Sequence, residues 1–335
     1  MHLEVCGGCN AKIGAGDLSN ILEKLPLFPR KEILAGFEGN EDGAIIQITE
    51  DIGVVTSLDF FPPMVEEAYE FGKIAAANAL SDLYAMGAEP VSAMNIVCFP
   101  EEEDVRVLEE ILQGGADVCK EAKTTLTGGH SIHDPKIKYG LSVIGIVDLN
   151  KVYRNNTPKV GDKLYLTKPL GVSLLMSGYT VGEVERPHYE KAVQSMATLN
   201  KAAYEILNQY EVHALTDVTG FGLLGHLSEM AEGASAVVET EGLHILEGTR
   251  EAAENFLFTA GGQRNRNAYG DQIAFEIDDF ALEEVLFDPQ TSGGLLISVD
   301  PEDGEAMYEE MQNAGIDVYP VGKMIEAGDK SIYVR

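Results

Sequence analysis

The sequence predicts two α+β domains of similar size that meet near residue 155, and three observations carry that prediction. At 335 residues the chain exceeds the usual single domain. Helix-period and strand-period segments are mixed in both halves, with hairpins among them, rather than strictly alternating as βα repeats. A polar stretch at 153–159, holding Asn155, Asn156 and Pro158, reads as a linker. The boundaries are therefore 1–40 for an N-terminal arm with a short helix, 41–152 for the first domain and 160–335 for the second.

The arm carries Gly7, Gly8, Gly14 and Gly16 and reads as flexible. Leu18, Ile21, Leu22 and Leu25 follow at helical spacing and predict a short amphipathic helix. From 43 to 61 the pattern is strand-like, with the turn Glu50-Asp51-Ile52-Gly53 joining two strands. Residues 64–86 predict a long helix, stopped by Gly87 and by Pro90 beyond it. A strand at 91–99, a helix at 104–122, a strand running into Thr127-Gly128-Gly129-His130 and a strand at 139–149 complete the first half. The second half opens with a strand at 163–167 and helices at 170–177 and 188–209. A strand at 213–217 runs into the glycine-rich turn 220–225 and a helix. The stretch 288–294 then leads into a strand at 295–299, a helix and terminal strands. Arg264 and Arg266 fall in a glycine- and asparagine-rich segment that reads as an exposed loop.

Composition narrows the functions available. With 24 Lys+Arg against 55 Asp+Glu, the formal charge is −31, which repels phosphate backbones and anionic lipid and argues against nucleic-acid and membrane partners. No apolar run approaches the ~20 residues of a membrane span, and the start of the chain shows no hydrophobic signal core; the cytoplasm is the expected compartment. Of the four cysteines, Cys98 and Cys119 lie in apolar patterns and read as core. Cys6 and Cys9 form the one C-x-x-C. It lacks the second pair a zinc site would want and the preceding strand of a thioredoxin motif, so a reactive thiol on a mobile arm fits better.

Candidate chemistry centres on aspartates. On the helix at 64–86, Ala75, Asn78, Asp82 and Ala85 share one face of an alanine-rich segment. A carboxylate there is costly without a cation, so Asp82 is either a metal ligand or an acid satisfied by backbone or Lys73. Asp217 sits where an apolar strand meets a glycine turn. Asp59 ends a strand, and Asp42 lies in Gly39-Asn40-Glu41-Asp42-Gly43; alone, each is equally an ordinary strand-end or turn residue. Acids at the ends of separate elements could hold magnesium on substrate phosphates. Thr127-Gly128-Gly129-His130-Ser131 and Ser292-Gly293-Gly294 could offer backbone N–H groups to phosphate, or could simply be tight turns. Gly220-Phe221-Gly222-Leu223-Leu224-Gly225 matches the dinucleotide fingerprint, with Glu239 downstream, and makes a nicotinamide oxidoreductase the alternative of a different class. No Walker-type phosphate loop occurs in the sequence.

Taken in order, CNAKI at 9–13, DFFP at 59–62, FGKIAAANALSDLYAMG at 71–87, GGHSI at 128–132, LTDVTGFGLLGHL at 215–227 and DPQTSGGLL at 288–296 resemble selenophosphate synthetases (selenide, water dikinases) of the aminoimidazole ribonucleotide synthetase, or PurM-like, superfamily. The resemblance covers nearly the whole chain. It implies synthesis of selenophosphate from selenide, ATP and water, with release of AMP and phosphate, for selenocysteine and selenouridine synthesis. It also implies ATP as substrate, magnesium as the metal and potassium as a candidate monovalent cofactor. By position, Cys9 resembles the essential thiol, at a place where some members carry selenocysteine, and Lys12 the catalytic lysine, which also meets the nucleotide. Asp42, Asp82 and Asp217 resemble the magnesium ligands. Asn40, Glu41, Asp59, Gly129, His130 and Ser131 resemble nucleotide-contacting positions.

The implied partners are selenide, ATP, a second copy of the chain whose first-domain strands complete a dimer barrel, and a selenium-delivery protein. One departure stands out: many members read C-G-C-K where this chain reads Cys9-Asn10-Ala11-Lys12, with its other cysteine earlier at Cys6. Another enzyme of the superfamily, such as a thiamine-monophosphate kinase, is the nearer alternative.

Overall fold

The computed structural model describes residues 3–5, 7, 21–22, 24–36 and 41–335. The first half holds β1 (Ile33–Ala35), β2 (Ala44–Gln47), β3 (Ile52–Phe61), α1 (Ala68–Ala85), β4 (Glu89–Phe99), α2 (Val105–Glu121), β5 (Thr125–His133) and β6 (Lys138–Asp148). Its six strands form one sheet in the order β1-β2-β3-β6-β4-β5. All neighbours are antiparallel except β4 and β5, which are parallel with α2 as their crossover. One face of the sheet carries Val55, Phe61, Leu141 and Val143 onto α1, all buried. The opposite face presents Leu58, Phe60, Met94, Ile132 and Ile146 to solvent, with Leu58 and Met94 flanking Ser142 in the strand register.

Alanine and glycine let α1 pack at backbone distance. A Cβ at Gly72 would lie 1.9 Å from the Ile111 carbonyl oxygen, and one at Gly114 would lie 2.1 Å from that of Tyr69. The two helices therefore touch main chain to main chain. Helix α1 begins at Ala68, four residues later than periodicity predicts. The preceding segment is held extended by the second half: Tyr189 Oη accepts from Glu66 N at 3.1 Å and donates to Glu67 Oε2 at 2.7 Å.

The second half holds β7 (Lys163–Thr167), α3 (Val172–Thr180), α4 (Arg186–Ala197), α5 (Lys201–Leu207), β8 (Val212–Asp217), α6 (Gly222–Met230), β9 (Ser235–Val238), α7 (Thr249–Glu254), α8 (Ala260–Tyr269), β10 (Ile273–Phe275), α9 (Phe280–Phe287), β11 (Leu295–Val299), α10 (Pro301–Asn313), β12 (Val318–Ile325) and β13 (Ile332–Val334). Its seven-stranded sheet runs β10-β13-β9-β12-β7-β11-β8. β9 and β11 are buried at every position, which explains their continuous apolar runs. No helix among the described residues is long and apolar enough to cross a membrane.

Three expectations are corrected here. The helix predicted at 188–209 is two helices, α4 and α5, broken where Asn200 turns its amide inward to Ser81 Oγ (2.8 Å) and the Gly293 carbonyl (2.9 Å). Arg264 and Arg266 lie on α8, not in a loop, and Arg266 reaches Glu283 (3.0 Å) and Glu284 (2.8 Å) over the Phe287 ring. The dinucleotide fingerprint is a coincidence of composition. β8 is a sheet edge paired antiparallel to β11, and β9 lies four places away, so Gly220–Gly225 does not open a parallel βαβ crossover. Gly222 instead sits at φ +69°, where a Cβ would press on the Phe287 main chain at 2.9 Å.

Candidate active site

The junction of the two halves gathers the aspartates. Asp59, near the end of β3, accepts from the Asn78 amide of α1 at 2.6 Å. One turn further along α1, Asp82 accepts from Ser57 Oγ of β3. Lys73, the partner considered for it, instead holds Glu70 at 3.1 Å. Asp42 Oδ1 accepts from Thr216 Oγ1 of β8 at 3.1 Å, and Asp217 is the next residue along that strand. Asp82 and Asp217 are buried, 7% and 1% exposed.

Electrostatics shows that these groups form one cluster. The Asp82 carboxyl is held well above its usual range, first by burial and then by the charges of Asp59, Asp217 and Asp42. Asp42 is raised likewise by burial and then by Asp217, against a lowering hydrogen bond from Thr216. Burial pushes Glu229, on α6, up to about 7, and its charge also bears on Asp42. Buried carboxylates that raise one another in this way are stabilised by a cation. Asp42 Oδ2 is buried with no hydrogen-bond partner among the described residues, an oxygen of the hard type magnesium takes. Among the described residues no three acidic, histidine or cysteine side chains close a metal shell by themselves. Magnesium commonly completes its shell with phosphate oxygens and water, so the donor set fits that ion.

The other expected positions are distributed differently. Glu41 is spoken for: it pairs with Arg154 Nη1 at 3.0 Å and accepts from Asn155 N at 3.3 Å, tying the first half to the linker. Gly129, His130 and Ser131 are not in a loop. They lie in β5, the exposed edge strand, about 14 Å across the sheet from β3 at ordinary strand spacing. Gly128 and Gly129 adopt φ +152° and +153°, and a Cβ on Gly129 would meet the Asn95 carbonyl at 2.3 Å. The Ser292-Gly293-Gly294 run is a packing joint, not a phosphate cradle. Cβ atoms on its glycines would fall 1.9 Å from the Val218 oxygen and 1.3 Å from the Thr167 oxygen, and Ser292 N is already given to Asn78 Oδ1 at 2.9 Å. Cys6, Cys9, Lys12 and Asn40 lie outside the described residues.

Sequence reasoning missed Lys168, buried between β7 and α3 with its Nζ on the carbonyls of Thr198 (2.6 Å) and Ser292 (2.8 Å). Its one signal was a lysine placed directly after an apolar strand. Glu229 was missed as well, because nothing local marks it on a helix otherwise read as packing.

Comparison with known proteins agrees with this architecture. Residues 40–147 match the AIR synthase related protein N-terminal domain, and 159–335 the corresponding C-terminal domain. A selenide, water dikinase of Agathobacter rectalis is 49% identical over 98% of this chain and 97% of its own length. The fold resembles the thiamine-monophosphate kinase of Stenotrophomonas maltophilia, with TM-score 0.68 and 20% identity over 100% of this chain and 97% of that one. The AaThiL complex with AMPPCP and TMP aligns with TM-score 0.68 and 18% identity over 96% of this chain and 93% of that one. The chain belongs to the selenide, water dikinase family, built on the AIR synthase related fold.

Proposed function

We propose that this chain forms selenophosphate from selenide, ATP and water, releasing AMP and orthophosphate. The observation that carries the reading is the convergence of Asp42, Asp59 and Asp82 from the first half with Asp217 from the second, in a chain 49% identical to a selenide, water dikinase. In this reading Asp42, Asp82 and Asp217 hold magnesium, which would offset the triphosphate charge that so acidic a protein otherwise repels. Asp59 contacts the nucleotide, and its amide partner Asn78 fixes its orientation. Cys9 supplies the working thiol and Lys12 lowers its pKa while drawing in phosphate oxygens.

A homodimer completes the site. The apolar face of the first sheet and the unpaired edge of β5 are supporting features, since exposed apolar faces and open edges are ordinarily covered. A second copy docked on that face would bring its own Gly129, His130 and Ser131 toward the nucleotide, which accounts for their distance from Asp59 within one chain. Selenide reaches the site free or from a delivery protein.

The test is incubation with Mg-ATP, with and without selenide under reducing conditions, followed by phosphorus NMR. Selenide-dependent AMP and selenophosphate are expected; ADP as the sole product, or no ATP consumption, would overturn the reading. Replacing potassium by sodium in the same assay tests the monovalent cation.

A further inference from the structure

A chain of hydrogen bonds runs from the second half of the molecule to the nucleotide-facing carboxylate of the first. Lys168 Nζ donates to the Ser292 carbonyl at 2.8 Å. Ser292 N donates to Asn78 Oδ1 at 2.9 Å, and Asn78 Nδ2 donates to Asp59 Oδ2 at 2.6 Å. The residues at its second-half end both have left-handed backbones, Lys168 at φ +61° and Ser292 at φ +50°. Neither is glycine, so each is strained and persists only where its surroundings fix it. Both are buried, as is Asn78. A buried lysine beside a carboxylate cluster would ordinarily pair with a carboxylate directly. Here it donates to two main-chain carbonyls, of Ser292 and of Thr198. Its position is spent on placing main chain.

We propose that Lys168 is a positioning residue for Asp59, acting through the Ser292 main chain and the Asn78 amide to hold that carboxylate where the nucleotide meets it. The inference rests on Asp59 being a nucleotide contact. Asn78 has a fixed division of labour: its oxygen is satisfied by Ser292 N, so its nitrogen must face Asp59. Displacing Ser292 frees the amide to rotate and leaves Asp59 without that donor. Burial lowers the Lys168 ammonium to about 7, with Asp217 acting in the opposite sense, and even the neutral amine keeps two N–H groups for its two carbonyls.

The test is a double-mutant cycle on MgATP affinity, read by calorimetry on the full chain as wild type, Asp59→Ala, Lys168→Met and the pair. Lys168→Met is expected to weaken binding about three- to tenfold, the size of one or two lost hydrogen bonds, and to add nothing in the Asp59→Ala background. Equal weakening in both backgrounds would mean that Lys168 only supports the fold, and would overturn the proposal, as would unchanged affinity in the single variant. No loss on Asp59→Ala would instead overturn the nucleotide role of Asp59, and the relay with it. Thermal melting checks that each variant is folded. Should Lys168→Met not fold, Lys168→Arg, whose bulkier head forces the two carbonyls apart, goes through the same cycle with the same expected outcome.

Discussion

Single side chains at the junction are buried at a cost to stability, which the proposed function explains. Asp82 is buried among other carboxylates, and burial together with their charges makes its ionised form costly in the folded chain. Asp82→Asn keeps an oxygen for Ser57 and removes one repelling charge. We expect it to abolish magnesium-dependent turnover while raising the melting temperature of the metal-free protein by about 2–4 °C, the shift that 1 kcal/mol gives in a domain of this size. Normal magnesium dependence in that variant would remove Asp82 from the metal site. Glu229 supplies a pH test. Its carboxyl is raised from 4.5 to about 7, so between those values the folded chain binds more protons than the unfolded one. Its contribution to stability is therefore present at low pH and lost as pH rises through 7. Glu229→Gln should be more stable than wild type at pH 8, by on the order of 2–3 kcal/mol, and about equally stable at pH 4. Coincident melting curves at both pH values would show that Glu229 is not held out of water.

At the level of elements, α1 is the piece on which the site depends, because from it Asn78 and Asp82 meet Asp59 and Ser57 of β3, while Asn78 and Ser81 also meet Ser292 and Asn200 of the second half. Its seat is the main-chain contact with α2. Gly72→Val should therefore destabilise the protein by more than about 3 kcal/mol, since the side chain would overlap the Ile111 carbonyl; a denaturation midpoint within error of wild type would contradict that packing. Much of this level was readable in the sequence. β7 and β11 fall where apolar runs place them, and Asp82 was marked by an acid on an alanine-rich face. What periodicity could not give is whether a glycine serves a ligand or a neighbouring main chain. Gly222, Gly293 and Gly294 were open to either reading and prove to be contacts with Phe287, Val218 and Thr167. The break between α4 and α5 was invisible for a related reason, since Asn200 is drawn inward by groups more than ninety residues away in sequence. Asp42 and Asp59 gain meaning only from partners that a local window does not contain.

For the whole molecule, the proposed homodimer uses the exposed apolar face of the first sheet. Leu58→Glu combined with Ile132→Glu should give a monomer by light scattering and lose turnover while each chain keeps its fold; a dimer of normal activity would place the interface elsewhere. The order of strands in the second sheet has a further bearing on the chain as it is made. β7, the first of those strands to leave the ribosome, is flanked by β11 and β12, which are among the last, and among the described strands β8 pairs with β11 alone. Asp217 therefore gains its strand partner only when synthesis is nearly complete. If the four acids act together as proposed, a nascent or truncated chain without β11 would leave the fourth unsupported and would not consume ATP before there is a finished enzyme to use it.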